Sequence, residues 1–256
     1  MTDNKKIKAV IVDLDRTLLR TDKTLSEYSA CVLGECQERG ILVMAASARP
    51  IRDVITFQDS IKFDAITATN GAVVLLPDGL TEVGLSRQSG EIILSRLLTY
   101  PNMLLSVETD KGLFSNREIS LWEPVVYHMF PRLPEDIVLY KILASSTDEK
   151  LYGDIQSVLT DDAYYTVAGS SLIQILNREA TKWSGILKML SYFDVDTKQA
   201  VFFGDDYDDV ESIQKCGLGI GVANAIPEVL AAADFVADDN DADGVARFIE
   251  KHILFT

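Results

Sequence analysis

Ala9-Val10-Ile11-Val12-Asp13-Leu14-Asp15-Arg16-Thr17-Leu18-Leu19 is the stretch on which the fold turns. Its first four residues are apolar without polar alternation, the pattern of a strand buried on both faces in a parallel sheet covered by helices. Open α/β sheets bind ligands beyond the C-terminal ends of their strands, and Asp13 and Asp15 fall at such an end. If Asp13 closes the strand and Asp15 lies one residue beyond Leu14, both carboxylates can lean into one crevice, where they could hold a cation, attack an electrophile or move a proton. An acidic turn that merely caps the next element would use the same residues.

Downstream, Ser26 is suited to cap a helix over Glu27 to Arg39 that Gly40 ends. Ile41 to Ala46 repeats the buried-strand pattern and runs into Ser47-Ala48-Arg49-Pro50, with Pro50 placed in the first turn of a helix over Ile51 to Ile61. The free N–H groups of that helix start could bind an anion. Phe63 to Thr69 reads as a third strand closed by Asn70-Gly71, and Ala72 to Leu85 as a hairpin about Pro77-Asp78-Gly79. The strand–helix alternation resumes at Lys182, with a helix to Tyr192, a strand over Ala200 to Gly204 and then Asp205-Asp206-Tyr207-Asp208-Asp209. A helix to Lys215, a short strand over Gly217 to Val222 that ends at Asn224-Ala225, a helix opened by Pro227, a strand over Asp234 to Ala237 and a helix over Val245 to His252 follow. Such units imply right-handed crossovers and a parallel sheet.

The interval 85–181 differs in texture. It reads as a helix over Gly90 to Thr99, strands near Met103 to Glu108 and Val138 to Ser145, a helix over Asp148 to Leu159 and a strand pair around Gly169-Ser170. The fold class is therefore α/β: a Rossmann-like doubly wound parallel sheet core over 1–84 and 182–256, with an inserted α+β domain over 85–181.

Composition narrows the partners. With 24 Lys and Arg against 39 Asp and Glu, the net charge of −15 repels phosphate backbones and anionic lipid, so neither nucleic acid nor a membrane surface is expected as a partner. A small phosphorylated substrate would need a cation and a few aimed basic groups to overcome the same field. No stretch approaches the ~18 apolar residues of a spanning helix, and the N-terminal apolar run is too short for a signal-peptide core, so a soluble cytoplasmic protein is expected. Cys31, Cys36 and Cys216 have neither redox nor zinc spacing and read as buried free thiols.

Three separated strand ends carry polar groups: Asp13 with Asp15, Ser47, and Asp205 with Asp208 and Asp209. This coincidence is more specific than any one motif. Together with Ala46-Ser47-Ala48-Arg49, Asn70-Gly71, Lys182, Gly204 to Asp209, Gly221 to Ala225 and Asp243 to Ala246, it resembles the haloacid dehalogenase superfamily, and within it the Cof-like hydrolases with a large inserted cap. The resemblance implies a Mg²⁺-dependent phosphatase of small phosphorylated metabolites, sugar phosphates foremost. Asp13 would be the nucleophile that forms an aspartyl phosphate, and Asp15 the general acid and base. Asp13, the Asp15 carbonyl, Asp205 and Asp209 would hold Mg²⁺. The Leu14 position, Ser47, the Ala48 N–H, Lys182 and Asp208 would line the phosphoryl group. A phosphomutase on the same fold and a phosphate-binding regulator without turnover are the alternatives.

Two positions depart from the family pattern: Arg16 stands where Gly is usual, and Asp208 where Asn is usual. The cap would close over the reaction and choose the substrate, with Lys111, Arg117 or Arg132 as candidate contacts to its far end. One competing motif is Asp239-Asn240-Asp241-Ala242-Asp243-Gly244 with Glu250, which fits the EF-hand calcium loop. The strand expected just before it, in place of an entering helix, argues against calcium. His128 and His252 lack a metal-ligand spacing.

Overall fold

The computed structural model describes residues 7–119, 125–146, 150–168 and 172–255. The chain divides into two compact units, Met1–Thr81 with Thr181–Thr256, and Glu82–Ala180. In chain order the elements are β1 (Ala9–Val12), α1 (Glu27–Glu38), β2 (Leu42–Ala46), α2 (Ile51–Val54), β3 (Ala65–Ala68), β4 (Val73–Leu76) and β5 (Gly79–Glu82). Next come α3 (Arg87–Leu97), β6 (Leu104–Thr109), β7 (Gly112–Ser115), β8 (Val125–Tyr127), β9 (Leu139–Ser145), α4 (Lys150–Val158), β10 (Ala163–Ala168) and β11 (Leu172–Asn177). The chain closes with α5 (Lys182–Tyr192), β12 (Ala200–Gly204), α6 (Val210–Lys215), β13 (Leu218–Val222), α7 (Pro227–Ala232), β14 (Phe235–Ala237) and α8 (Gly244–Ile249).

Among the described residues the first unit carries a sheet in the order β14-β13-β12-β1-β2-β3-β4-β5. The pairings from β14 through β3 are parallel, and β3 to β4 is antiparallel. Every residue of β1 is fully buried, as is every residue of β12, which explains why both strands read as unbroken apolar runs. From β1 the chain moves to β2 on one side, and β12 lies on the other, so β1 sits where the strand order reverses. That is where doubly wound sheets open a crevice. Ile186, Met189 and Leu190 of α5 pack with Ile11, Met44 and Phe202 on one sheet face.

In the second unit six described strands run β10-β11-β9-β6-β7-β8, antiparallel except for the parallel β7–β8 pair. The period of two sorts β6: Leu105 and Val107 join Ile93, Leu94 and Leu97 of α3 and Leu151 and Ile155 of α4 in one core. Ser106 and Glu108 take the opposite face, where Glu108 pairs in register with Lys141, and the Lys141 ammonium donates to Gln174 Oε1 at 2.7 Å. No described helix is long and apolar enough to cross a membrane.

The helix expected over Ile51 to Ile61 is corrected. α2 stops at Val54 with Pro50 as its N-cap, and a 3₁₀ turn takes over at Ile55–Asp59. Val54, Ile55 and Thr56 are β-branched in succession and lose χ1 freedom in an α-helix. Cys31 is exposed, while Cys36 and Cys216 are buried. β7 and β8 were not anticipated, being four and three residues long, too short to show alternation. Asp148 and the Gly169-Ser170 pair lie outside the described residues.

Candidate active site

The loop after β1 is built to project carboxylates. The Asp13 N–H donates to Phe203 O at 2.9 Å, so β1 continues one residue past its last named position and holds Asp13 beside the end of β12. A wide turn follows, with Leu18 N–H donating to Asp13 O at 3.2 Å and Leu19 N–H to Leu14 O at 2.8 Å. Leu14 is fully buried and anchors the loop, while Arg16 takes φ 59°, ψ 10°, a left-handed conformation that costs an L-residue about 1 kcal/mol. The Arg16 carbonyl accepts the Asn224 side-chain amide at 2.8 Å, and its guanidinium donates to Asn224 O at 3.4 Å.

Lys182 is the centre of charge. It opens α5 behind a capping box of Thr181 and Ser184, and its side chain is only 2% exposed. Its ammonium donates to Asp13 Oδ1 at 2.8 Å and Asp209 Oδ1 at 2.7 Å, with Asp208 Oδ2 at 3.3 Å. Two glycines permit this. At Gly71 (φ +100°) a Cβ would stand 2.0 Å from Thr181 O, so only Gly lets the α5 cap come this near. A Cβ on Gly204 would stand 2.6 Å from Asp209 Cβ and Cγ. Asp209 therefore folds back under the loop, where its Oδ2 accepts the N–H groups of Asp205 at 2.9 Å and Asp206 at 3.1 Å.

Burial disfavours the Lys182 ammonium, but Asp13, Asp208 and Asp209 together outweigh it and hold the amine charged. The carboxylates bear the cost of crowding. Burial foremost, then Asp209, pushes Asp205 up to about 7, although Thr17 Oγ1 donates to its Oδ1 at 2.9 Å. Burial also lifts Asp209 to about 6 against the pull of Lys182. Asp13 is raised as well, by burial and by its acidic neighbours. Asp13, Asp205 and Asp209 can bring one ligand atom each to within 4.8 Å of one another. Three buried carboxylates facing one ammonium is an excess of negative charge that a hard, oxygen-seeking dication suits.

Of the other residues singled out in the sequence, Asp15 is held bidentately by Arg49, through Nε to Oδ2 at 2.5 Å and Nη2 to Oδ1 at 2.6 Å. Ser47 is buried just past β2, its N–H on Thr67 O and its Oγ accepting the Arg49 N–H at 3.1 Å. Ala48 follows it, half-buried. Asp208 is paired twice, with Lys182 and with the Asn70 side-chain amide at 2.8 Å. Thr17, Arg49 and Asn70 were given no role by sequence reasoning. The available signal for Asn70 was its tolerance of the left-handed region, occupied here at φ 55°.

The model of the haloacid dehalogenase-like hydrolases matches residues 10–249. The chain belongs to this family. Two similar relatives are named 5-amino-6-(5-phospho-D-ribitylamino)uracil phosphatase. YitU of Bacillus subtilis (strain 168) is 25% identical over 95% of this chain and 96% of its own. YbjI of Escherichia coli (strain K12) is 25% identical over 96% of each chain. Among solved structures, a haloacid dehalogenase-like hydrolase from B. subtilis superposes with a TM-score of 0.85 at 21% identity, covering 96% of this chain and all of that one. As a member of this hydrolase family the chain is an enzyme, and its phosphatase-named relatives set the reaction class.

The calcium pattern fails for a family member built this way. A strand, β14, precedes it, and its carboxylates are spent on protein donors. Asp241 accepts the Thr21 N–H and Oγ1, both at 2.8 Å, Asp243 pairs with Arg20 at 2.9 Å, and Glu250 accepts the Tyr28 hydroxyl at 2.7 Å. Lys111, Arg117 and Arg132 lie exposed in the second unit. The His128 ring donates through Nε2 to Arg132 O at 2.5 Å.

Proposed function

We propose that this enzyme is a Mg²⁺-dependent phosphatase of small phosphorylated metabolites, with monoesters on a sugar or sugar-alcohol chain as the substrate class. The observation that carries the reading is Lys182 buried among Asp13, Asp208 and Asp209 at the mouth of the β1–β12 crevice. The ribityl phosphate in the relatives' names supports the substrate class. Asp13, Asp205 and Asp209, with the Asp15 carbonyl that the resemblance adds, would hold Mg²⁺, which when bound neutralises charge on the phosphoryl oxygens.

Lys182 takes one oxygen of Asp13 and turns the other toward phosphorus. That oxygen attacks, the ester P–O bond breaks, and the departing alkoxide takes a proton from Asp15, leaving an acyl phosphate on Asp13. Water then attacks the same phosphorus and loses its proton to Asp15. Inorganic phosphate leaves, and the Asp13 carboxylate is restored. Ser47, the Ala48 N–H and Lys182 stabilise the equatorial oxygens, where the transition state spreads its charge. Asp208, paired with Lys182 and hydrogen-bonded by the Asn70 amide, acts by fixing the ammonium. None of the residues given a role in the phosphoryl chemistry lies in the second unit.

A panel of sugar and sugar-alcohol phosphates assayed for released phosphate with Mg²⁺ tests the reading. Asp13→Asn is the control, being nearly isosteric yet unable to attack. Turnover of at least one panel member by the wild type, and a loss of at least about 10³-fold in the variant, are expected. An active Asp13→Asn enzyme removes Asp13 from the role.

A further inference from the structure

Arg49 is tied down more thoroughly than a surface cation requires. Its carbonyl accepts the Thr69 N–H at 2.8 Å, its N–H donates to Ser47 Oγ, and its guanidinium carbon lies 5.5 Å from the centroid of the Phe57 ring. The guanidinium thus has an aromatic wall on one side and meets Asp15 edge-on in a fork, one N–H per carboxylate oxygen. The Asp15 side chain is still 44% exposed and that of Arg49 19%. An ion pair this open contributes at most about 1 kcal/mol to stability. What the fork does fix is direction, because a planar bidentate contact leaves a carboxylate one orientation where a single hydrogen bond leaves many.

We infer that Arg49 is a positioning residue for the acid–base step: it holds the Asp15 carboxyl group in the one orientation from which a leaving oxygen can be reached. This rests on the phosphatase reading above and gives Arg49 no contact with the phosphoryl group. The proton still travels between Asp15 and the leaving oxygen, and Arg49 neither gains nor loses one. Arg49→Lys keeps the charge but not the fork. In the first turnover the requirement is felt only where the departing oxygen needs a proton, whereas the hydrolysis of the acyl phosphate needs Asp15 for every substrate, so leaving-group dependence of the first turnover separates positioning from binding.

The experiment compares Arg49→Ala, Arg49→Lys, Asp15→Asn and the double variant Asp15→Asn/Arg49→Ala with wild type in saturating Mg²⁺. The probes are an alkyl monoester turned over by the wild type and p-nitrophenyl phosphate, whose leaving group departs unprotonated. For the alkyl ester, Arg49→Ala should lose about 10²-fold in kcat while KM stays within about threefold. The first-turnover burst of nitrophenolate should stay within about threefold of wild type. Arg49→Lys should fall between, guanidinium ion should partly restore Arg49→Ala, and the double variant should be no slower than Asp15→Asn. Should Arg49→Ala not fold, Arg49→Lys must show the same leaving-group pattern on its own. A raised KM with kcat intact, an equal loss on both probes, or additive losses in the double variant would overturn the inference. A wild type inert toward every monoester would instead remove the phosphatase reading itself.

Discussion

Two acidic clusters in the first unit invite the same first reading and differ in one physical respect. In the loop over Asp239 to Glu250, Asp241, Asp243 and Glu250 each have a donor from another element: Thr21, Arg20 and Tyr28. At the β1–β12 ends, Asp13, Asp205 and Asp209 are buried together with one ammonium among them, and burial raises all three. The first cluster has its oxygens taken up by neighbouring donors, one of them the Arg20 guanidinium, and fastens the β1 loop and α1 to the end of the chain. The second is left with charge to be neutralised from outside. Count of carboxylates does not separate a cation site from a structural loop; the donors already committed to them do.

The sharpest way to break this contrast is a matched pair of deletions. Asp205→Ala should raise the Mg²⁺ concentration for half-maximal activity by at least about 100-fold, since altering only an outer-shell partner of a ligand costs 10–100-fold. Asp241→Ala removes two hydrogen bonds from Thr21, worth about 1 kcal/mol each. It should lower Tm with the Mg²⁺ requirement unmoved. Activity titrations with Mg²⁺ beside thermal melts read both. A shift of the Mg²⁺ requirement in Asp241→Ala, or none in Asp205→Ala, would erase the distinction.

Smaller in size is the pH dependence of stabilisation by Mg²⁺. An ordinary Asp titrates near 3.9 when unfolded, while in the fold burial pushes Asp209 up to about 6 and Asp205 up to about 7. Between those values the folded state binds more protons than the unfolded one, so these groups make the metal-free protein lose stability as pH rises from about 4 to 7. Mg²⁺ held by these carboxylates would displace those protons and would be weakened below the same values. The increment in Tm from Mg²⁺ over chelator should therefore be larger at pH 8 than at pH 5. An increment equal at both would mean the carboxylates are ionised without the metal.

Legibility in the sequence followed where the constraint was local. β1 and β12 were readable because burial on both faces demands unbroken apolar runs, and Ser26 because an N-cap is a one-residue signal, its side chain accepting the Ser29 N–H. α2 was over-read since a Pro start says nothing of where β-branched residues stop a helix. In the site, acidic residues at strand ends announced themselves, whereas Thr17, Asn70 and Arg49 act on partners 188, 138 and 34 residues away. A donor's role depends on what the fold brings to it. Even Lys182, unremarkable as the first residue of a helix, owes its meaning to Asp13 across 169 residues.

The smallest expected effect concerns Arg16, which sits beside the crowded cluster and adds a cation that could be mistaken for part of it. Its guanidinium points to Asn224 O at a long 3.4 Å in exposed surroundings, a contact of little energy in water. The stronger tie is through the backbone, the Arg16 carbonyl accepting from Asn224 at 2.8 Å, which survives any substitution. Its φ of 59° is one that Gly adopts without steric cost. Against that relief stands the greater freedom Gly gives the unfolded chain, about 0.4–1 kcal/mol. The two terms nearly cancel, so Arg16→Gly should change stability by less than about 1 kcal/mol and leave kcat and the Mg²⁺ requirement near wild type. Arg16→Val, which keeps the strain and adds β-branching in the left-handed region, should be the less stable of the two variants. Denaturant melts and steady-state kinetics on both decide it. A collapse of kcat in Arg16→Gly with the fold intact would place the guanidinium in the substrate site and extend the cation-seeking cluster by one residue.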